Sequence, residues 1–378
     1  MRLRLVLSAL LPMSIGACSH SDVFGYTAPD VGPSTAGSDV VITYNQVNYW
    51  PTLTSDGSGV LYAFIDQTEA TVRPVTQFEL PPYIVAGLHI HRCMGMMPVR
   101  GGTRHWEYCD NRPNEIDSIT SFPAYAMDSV GRLLYTESAT PRRFAFDTAR
   151  VSLWLADSAT PFRRQQLVHF PLMLGDSVVN WLADLKWTGR STFTAVAQRM
   201  VLLGHPCPPV CSPAQVDSVF YGQGVVTGTI AAGSATLAAV SGTYGATAYA
   251  IVDSGATVVF SAVNNVNLMK VPIAGGTPSV AASAVAPLGS QIVGISCLGT
   301  RCVAATGPAP GGSSQLRSIS LATGAVSTVF SSGQSLSMPL LTSTGDVIAQ
   351  VGPGFGRIQT YWNGATPITL RLYKGLIH

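Results

Sequence analysis

From residue 40 onward, apolar residues fall in short runs of four to six, each introduced by a compact polar turn. The runs are Val60–Ile65, Leu133–Thr136, Thr192–Ala197, Thr257–Ser261, Cys302–Ala305 and Val347–Val351. Short β-branched runs bounded by Gly, Asp, Ser and Pro predict strands joined by tight turns. The turns repeat. Pro51-Thr-Leu-Thr-Ser-Asp-Gly57 is echoed 72 residues later by Pro123-Ala-Tyr-Ala-Met-Asp128, with Gly131 beyond it, and again by Pro339-Leu-Leu-Thr-Ser-Thr-Gly345. Asp253-Ser-Gly255 keeps the turn without the proline, and Trp187-Thr-Gly189 and Leu298-Gly299 are fainter copies. Six strand–turn–strand units result. Their turn glycines are spaced by 74, 58, 66, 44 and 46 residues, intervals that each suit one four-stranded unit with extra loop in the earlier ones.

The Pro-x-x-Ser-x-Asp-Gly turn followed by an apolar strand resembles the repeat of TolB-type six-bladed β-propellers, which are related to WD-type repeats. The resemblance covers residues 40–378, strongest in the first two units. It implies an all-β fold, a six-bladed β-propeller of four-stranded antiparallel blades. In that reading the proline begins a strand edge, Asp-Gly closes the hairpin, and the apolar run is an inner strand. Two departures stand out. Leu53 or Tyr125 occupies the place where the repeat usually has a tryptophan, and only Ser19–Asp39 stands where TolB has an α/β domain. The resemblance therefore implies a fold and not a role. A closed ring needs its last strand, near Ile358–Trp362 or Ile368–Tyr373, completed from the other terminus, for which Val40–Tyr44 is the candidate.

The N-terminus predicts export. Arg2 and Arg4 precede an apolar stretch, Leu5–Met13, too short to span a bilayer, which takes about 20 residues. Ile15-Gly16-Ala17-Cys18 then has the order of a lipobox, whose small residues let a peptidase approach and whose cysteine takes a lipid thioether. Residues 1–17 are expected to be a lipoprotein signal peptide, Cys18 the lipidation site, and residues 18–39 a flexible tether of about 25 Å reach. Ser19, with no aspartate after the cysteine, points to an outer-membrane lipoprotein of the cell envelope, facing periplasm or cell surface.

Charge narrows the partners. The chain has 22 Lys+Arg against 20 Asp+Glu; removing residues 1–17 takes two arginines and no acid, so the mature chain is formally neutral. That balance argues against nucleic acid. Between Gly222 and Gly345 only Asp253, Lys270, Arg301 and Arg317 are charged.

Setting Cys18 aside, six cysteines remain for an oxidising compartment. Cys297 and Cys302 flank a predicted hairpin, and Cys93 and Cys109 are symmetric about Gly101, so each pair is expected to staple two strands. Cys207 and Cys211 enclose a proline-stiffened loop expected to close on itself. The alternative there is a metal site, for which His205 would supply only a third ligand.

Linear motifs for catalysis are absent: no Gly-x-Ser-x-Gly elbow, no His-Glu-x-x-His, no phosphate loop and no dinucleotide fingerprint. His89 and His91 share a strand face, but hairpin register puts His105 about 20 Å from His91, which argues against zinc. Asp110, Asn111, Asn114, Glu115 and Asp117 gather oxygen ligands without EF-hand spacing. No metal or cofactor is expected. The reading is a membrane-tethered, non-catalytic binding or scaffold protein, monomeric, taking a protein, peptide or glycan. Contacts are expected on the insertions at 79–117 and 203–217, around His91, Arg92, Arg104 and Trp106. The alternative is a propeller enzyme, lactonase-like or glycan-cleaving, whose residues converge at the central funnel. Asp56, Asp128 and Asp253 are read as turn residues.

Overall fold

The computed structural model describes residues 39–41, 48–69, 89–101, 106–109, 118–141, 150–175, 177–202, 219–263, 265–308, 312–352 and 369–377. Cys18, Arg104, Cys207 and Cys211 lie outside these residues, as does the acidic loop 110–117.

Strand β1 (Asp39–Val41) comes first, and the other strands form six sheets in sequence. The first blade holds β2 (Asn48–Leu53), β3 (Gly59–Glu69), β4 (His89–Pro98) and β5 (Trp106–Cys109). The second holds β6 (Ser118–Met127), β7 (Arg132–Pro141), β8 (Arg150–Asp157) and β9 (Thr160–Phe170). After a short β10 (Leu172–Leu174), the third has β11 (Ser177–Trp187), β12 (Thr192–Leu202), β13 (Val219–Ala231) and β14 (Ser234–Ala239). The fourth has β15 (Ala246–Val252), β16 (Thr257–Ala262), β17 (Leu268–Pro272) and β18 (Ser279–Ala282); the fifth β19 (Ile292–Leu298), β20 (Arg301–Thr306), β21 (Ser314–Ser320) and β22 (Val326–Ser332). The sixth has β23 (Ser335–Leu341), β24 (Val347–Gly352) and β25 (Thr369–Tyr373). All pairings are antiparallel, and the third sheet gains β10 as a fifth strand.

The ring closes between its ends. Val40 pairs with Leu372, and Asp39 with Tyr373, so β1 is the outermost strand of the sixth blade. This six-bladed β-propeller is held by its blade faces. The buried apolar side chains form six clusters, one at each blade–blade interface. Val60, Tyr62 and Met97 of the first blade, for instance, meet Ile348, Leu370 and Leu372 of the sixth. Blades covered on both faces favour apolar residues at consecutive positions, and β24 is buried throughout its length, its apolar run interrupted by the buried Gln350.

The repeated turn of the sequence joins the first and second strands of every blade. The apolar run after it is therefore the second strand and not the innermost one. Gly57, Gly131, Gly255, Gly299 and Gly345 adopt φ from +59° to +98°, the region a side chain resists. The proline has a different place from the one its sequence position suggests. Pro51, Pro123 and Pro339 lie inside the innermost strands, where the register breaks between Tyr49 and Thr52, Ser121 and Ala124, and Ser337 and Leu340. A residue that cannot donate to a ladder is accommodated at a bulge. The other three innermost strands are bulged too: β11 after Val179 and after Ala183, β15 after Ala246, and β19 after Ile292.

The two ends of the ring differ. First-to-second and third-to-fourth connections emerge at one end, and second-to-third and blade-to-blade connections at the other. The strand ends flanking 70–88, 110–117, 142–149, 203–218 and 353–368 all lie at this second end. We call the two ends the tight-turn end and the long-connection end.

Candidate functional site

At the tight-turn end, side chains close on their own turns. Thr54 Oγ1 donates to Asp56 Oδ1 at 2.6 Å, and the Gly59 and Ser58 amides donate to Thr54 Oγ1 and Asp56 Oδ1 at 2.9 and 3.1 Å. These bonds, that from Thr54 foremost, hold the Asp56 carboxyl below its usual range. Asp128 accepts from the Val130 and Arg132 amides at 3.1 and 2.8 Å and pairs with the Arg132 guanidinium at 2.6 Å. Asp346 accepts from the Gly375 amide at 2.7 Å. Asp56 and Asp128 organise their own hairpins, as their place in the repeat implies, whereas Asp346 ties the first turn of the sixth blade to the residues after β25.

The axis contains two chambers separated by a waist. One, of about 380 Å³, opens at the tight-turn end among Leu53, Met127, Trp187 and Ile251. The other, of about 300 Å³, lies toward the long-connection end and receives residues from all six innermost strands. Thr52, Lys186, Ser296 and Leu340 line both and form the waist.

The chamber toward the long-connection end, called the upper chamber, is mostly apolar, with Pro51, Tyr125, Ile295, Met338 and Pro339 in its wall. Its charged groups are Asp184 and Lys186, and they satisfy each other: Lys186 Nζ stands 2.5 Å from Asp184 Oδ1. The same ammonium donates to the Tyr249 carbonyl at 3.2 Å and rests 4.0 Å above the Tyr249 ring centroid. Tyr249 is fully buried, and its hydroxyl donates to the Asp184 carbonyl at 2.8 Å and lies 3.0 Å from Thr194 Oγ1. Burial, and after it the Asp184 charge, raises this phenol well above its ordinary range.

Two residues of the wall are strained. Asp184 has φ +50° and Met338 φ +49°, each beside the bulge of its strand, on the third and sixth blades, which face each other across the axis. Gly294 makes room for the second of these, since a Cβ there would come within 2.5 Å of Pro339 Cδ and 2.9 Å of the Met338 nitrogen.

From the axis the chamber reaches outward along the third blade. Trp181 pairs with Gln198, and Gln198 with Gln223, so three consecutive strands carry a transverse row, in which Trp181, beside the first bulge of β11, also packs against the apolar cluster between the second and third blades. All three line the cavity, as does Thr247 of the fourth blade. Thr247 is already bonded, 3.0 Å from Ser261 Oγ. The Gln198 and Gln223 amides and the Trp181 indole have no hydrogen-bond partner among the described residues.

Of the residues singled out from sequence, His91 and Arg92 lie near the start of β4, at the long-connection end, whereas Trp106 pairs with Met96 near its other end. Five residues separate His91 from Met96, about 17 Å along the strand, so the register does not bring His91 and Trp106 together. The Trp106 indole donates to the Ser158 carbonyl at 2.7 Å and packs into the interface of the first two blades. Cys297 and Cys302 form a disulfide with Cα atoms 4.0 Å apart. Cys93 is disulfide-bonded, and Cys109 stands directly opposite it in the ladder. Among the described residues no group of three His, Cys, Asp or Glu could hold a metal ion, and no helix is long and apolar enough to cross a membrane.

No protein-family description matches the sequence, and no curated protein does. Solved structures share the propeller. Regucalcin, a calcium-binding protein of Agrobacterium tumefaciens, is 12% identical over 90% of this chain and 97% of its own, with a TM-score of 0.49. The β-propeller domain of the Trilobed protease from Pyrococcus furiosus is 8% identical over 87% and 96%, with a TM-score of 0.44. TolB from Acinetobacter baumannii is 11% identical over 74% of this chain and 59% of its own, with a TM-score of 0.42.

Proposed function

We propose that this β-propeller is a lipid-tethered, non-catalytic binding or scaffold protein of the cell envelope, offering its long-connection end to a partner. The observation that carries the reading is the asymmetry of the ring. Every long connection leaves from the end toward which the upper chamber lies, while the opposite end spends its polar groups on its own turns. Rigid scaffolds present variable loops in this way for recognition. The chemistry of the chamber supports binding over turnover. Its one carboxylate and one ammonium neutralise each other, and acid–base catalysis needs a group free to exchange its proton with a substrate.

The tether fits the same picture. Asp39 enters the sixth blade at the tight-turn end, so a lipid on Cys18 would hold that end toward the membrane and leave the long-connection end facing away. The decisive experiment compares wild type and Cys18→Ala by membrane flotation, and then maps crosslinks from the intact, lipidated chain in envelopes. Cys18→Ala should leave the membrane fraction, and crosslinks should fall on the segments flanking β3–β4 and β12–β13. Flotation unchanged by Cys18→Ala overturns the tether. Crosslinks confined to the tight-turn end overturn the choice of face, and a hydrolytic activity lost on changing Asp184 or Lys186 overturns the non-catalytic reading.

A further inference from the structure

We propose that the upper axial chamber is a binding site for one neutral sugar residue, with its ring on Trp181 and its hydroxyls on Gln198 and Gln223. The proposal rests on the binding reading above and names the ligand of its chamber.

Three observations lead to it. The first is size: about 300 Å³ stands at the lower end of the range for small-ligand sites, roughly 300–1,000 Å³. The waist at Thr52, Lys186, Ser296 and Leu340 bounds the chamber along the axis, which suits a single ring better than an extended chain. The second is charge. Lys186 is committed to Asp184, to the Tyr249 carbonyl and to the Tyr249 ring, so the chamber has no charge to spare for an anion or a cation.

The third is the transverse row. Two half-buried carboxamides and a half-buried indole line one cavity with no partner among the described residues, so their donors and acceptors are available to a ligand. Side chains from neighbouring strands stand about 5 Å apart, so the two amides span one edge of a pyranose. Each amide both donates and accepts, and a hydroxyl needs both. The adjoining indole offers an apolar face for the C–H side of the ring and an N–H for its rim. A hydrocarbon would strand the amides, and an ionic ligand would find no counter-charge.

Strain supports the same location. Asp184 and Met338 are held at positive φ on opposite walls, at positions whose surroundings determine them fully: Tyr249 holds the Asp184 carbonyl, and Gly294 admits Met338. Such strain gathers where a fixed geometry is used.

The test is ligand-observed saturation-transfer NMR on the intact chain with glucose, galactose and N-acetylglucosamine as probes, and alanyl-alanine as a peptide probe. At least one sugar should bind wild type. Its affinity should fall about tenfold in Gln198→Leu and again in Gln223→Leu, as expected for losing an amide contact each. Trp181→Phe should retain part of the binding and Trp181→Ala lose it. If Trp181→Ala does not fold, the two leucine variants, of similar side-chain size, carry the test. Binding by none of the three sugars overturns the proposal, as does sugar affinity untouched by the leucine variants. A variant-sensitive signal from alanyl-alanine overturns it in favour of a peptide. Failure here with crosslinks still at the long-connection end condemns the sugar site alone; sugar binding with crosslinks elsewhere condemns the choice of face alone.

Discussion

Tyr249→Phe isolates one buried atom at the junction of the third and fourth blades. The hydroxyl ties the fourth blade to the third through the Asp184 carbonyl, at 2.8 Å, and through Thr194 Oγ1, at 3.0 Å. A neutral hydrogen bond contributes about 0.5–1.5 kcal/mol net, and a buried group left unpaired costs about 1–3 kcal/mol. Thr194 is completely buried, so losing both contacts should cost about 2–3 kcal/mol. In a domain this large that lowers Tm by about 3–4 °C. Urea unfolding at pH 7, followed by tryptophan fluorescence, measures it. On a Thr194→Val background the same change should cost only about 1 kcal/mol, because one partner is already gone. A loss below about 0.5 kcal/mol, or an equal loss on both backgrounds, would falsify this account of the blade junction. The alkaline limb gives an independent check. The folded phenol titrates above its unfolded value of about 10. Its contribution is therefore complete below pH 10 and is lost as the pH rises beyond that, because the unfolded chain sheds its proton first. Wild type should lose stability above pH 10 more steeply than Tyr249→Phe does.

Three further outcomes are expected. Gly228→Ala would place a Cβ 2.1 Å from Cζ of Phe193, which is fully buried and cannot swing away, so it should cost about 1–3 kcal/mol in urea unfolding. Replacing both Cys297 and Cys302 by serine opens a loop with a sequence separation of 5, and the chain-entropy estimate gives a loss of about 2 kcal/mol by the same assay. Deleting residues 39–41 strips β25 of its outer neighbour; amide exchange at Arg371 and Leu372 should accelerate, while β15–β18 keep their protection.

The hairpins were legible in the sequence because their turns demand particular residues: a glycine at positive φ, an aspartate that caps its own turn, a cysteine pair such as Cys297 and Cys302 facing across two strands. The prolines were visible but misplaced, since a bulge inside a strand and the start of a strand look alike in one dimension. The chamber was not legible. Trp181, Gln198 and Gln223 sit on three strands at unrelated spacings, and the bulges of β11 break the alternation by which strand residues are assigned to a face. Asp184 and Lys186 belong to no sequence motif, and only the closed ring brings Tyr249 of the next blade against Lys186.

The seam between β1 and β25 joins residues 39–41 to residues 371–373. In a chain emerging from its N-terminus, the first strand of the propeller must wait for nearly the last one before it has a neighbour. Until then the sixth blade lacks its outer edge, and Val60, Tyr62 and Met97 of the first blade lack the apolar surface of Ile348, Leu370 and Leu372. Contacts this distant in sequence are the slowest to form, because the long loop must be closed before any of them is made. The ring is thus completed in its final step, and a chain stopped short of residue 369 would carry two unmatched blade faces and an open edge, the surfaces on which aggregation begins.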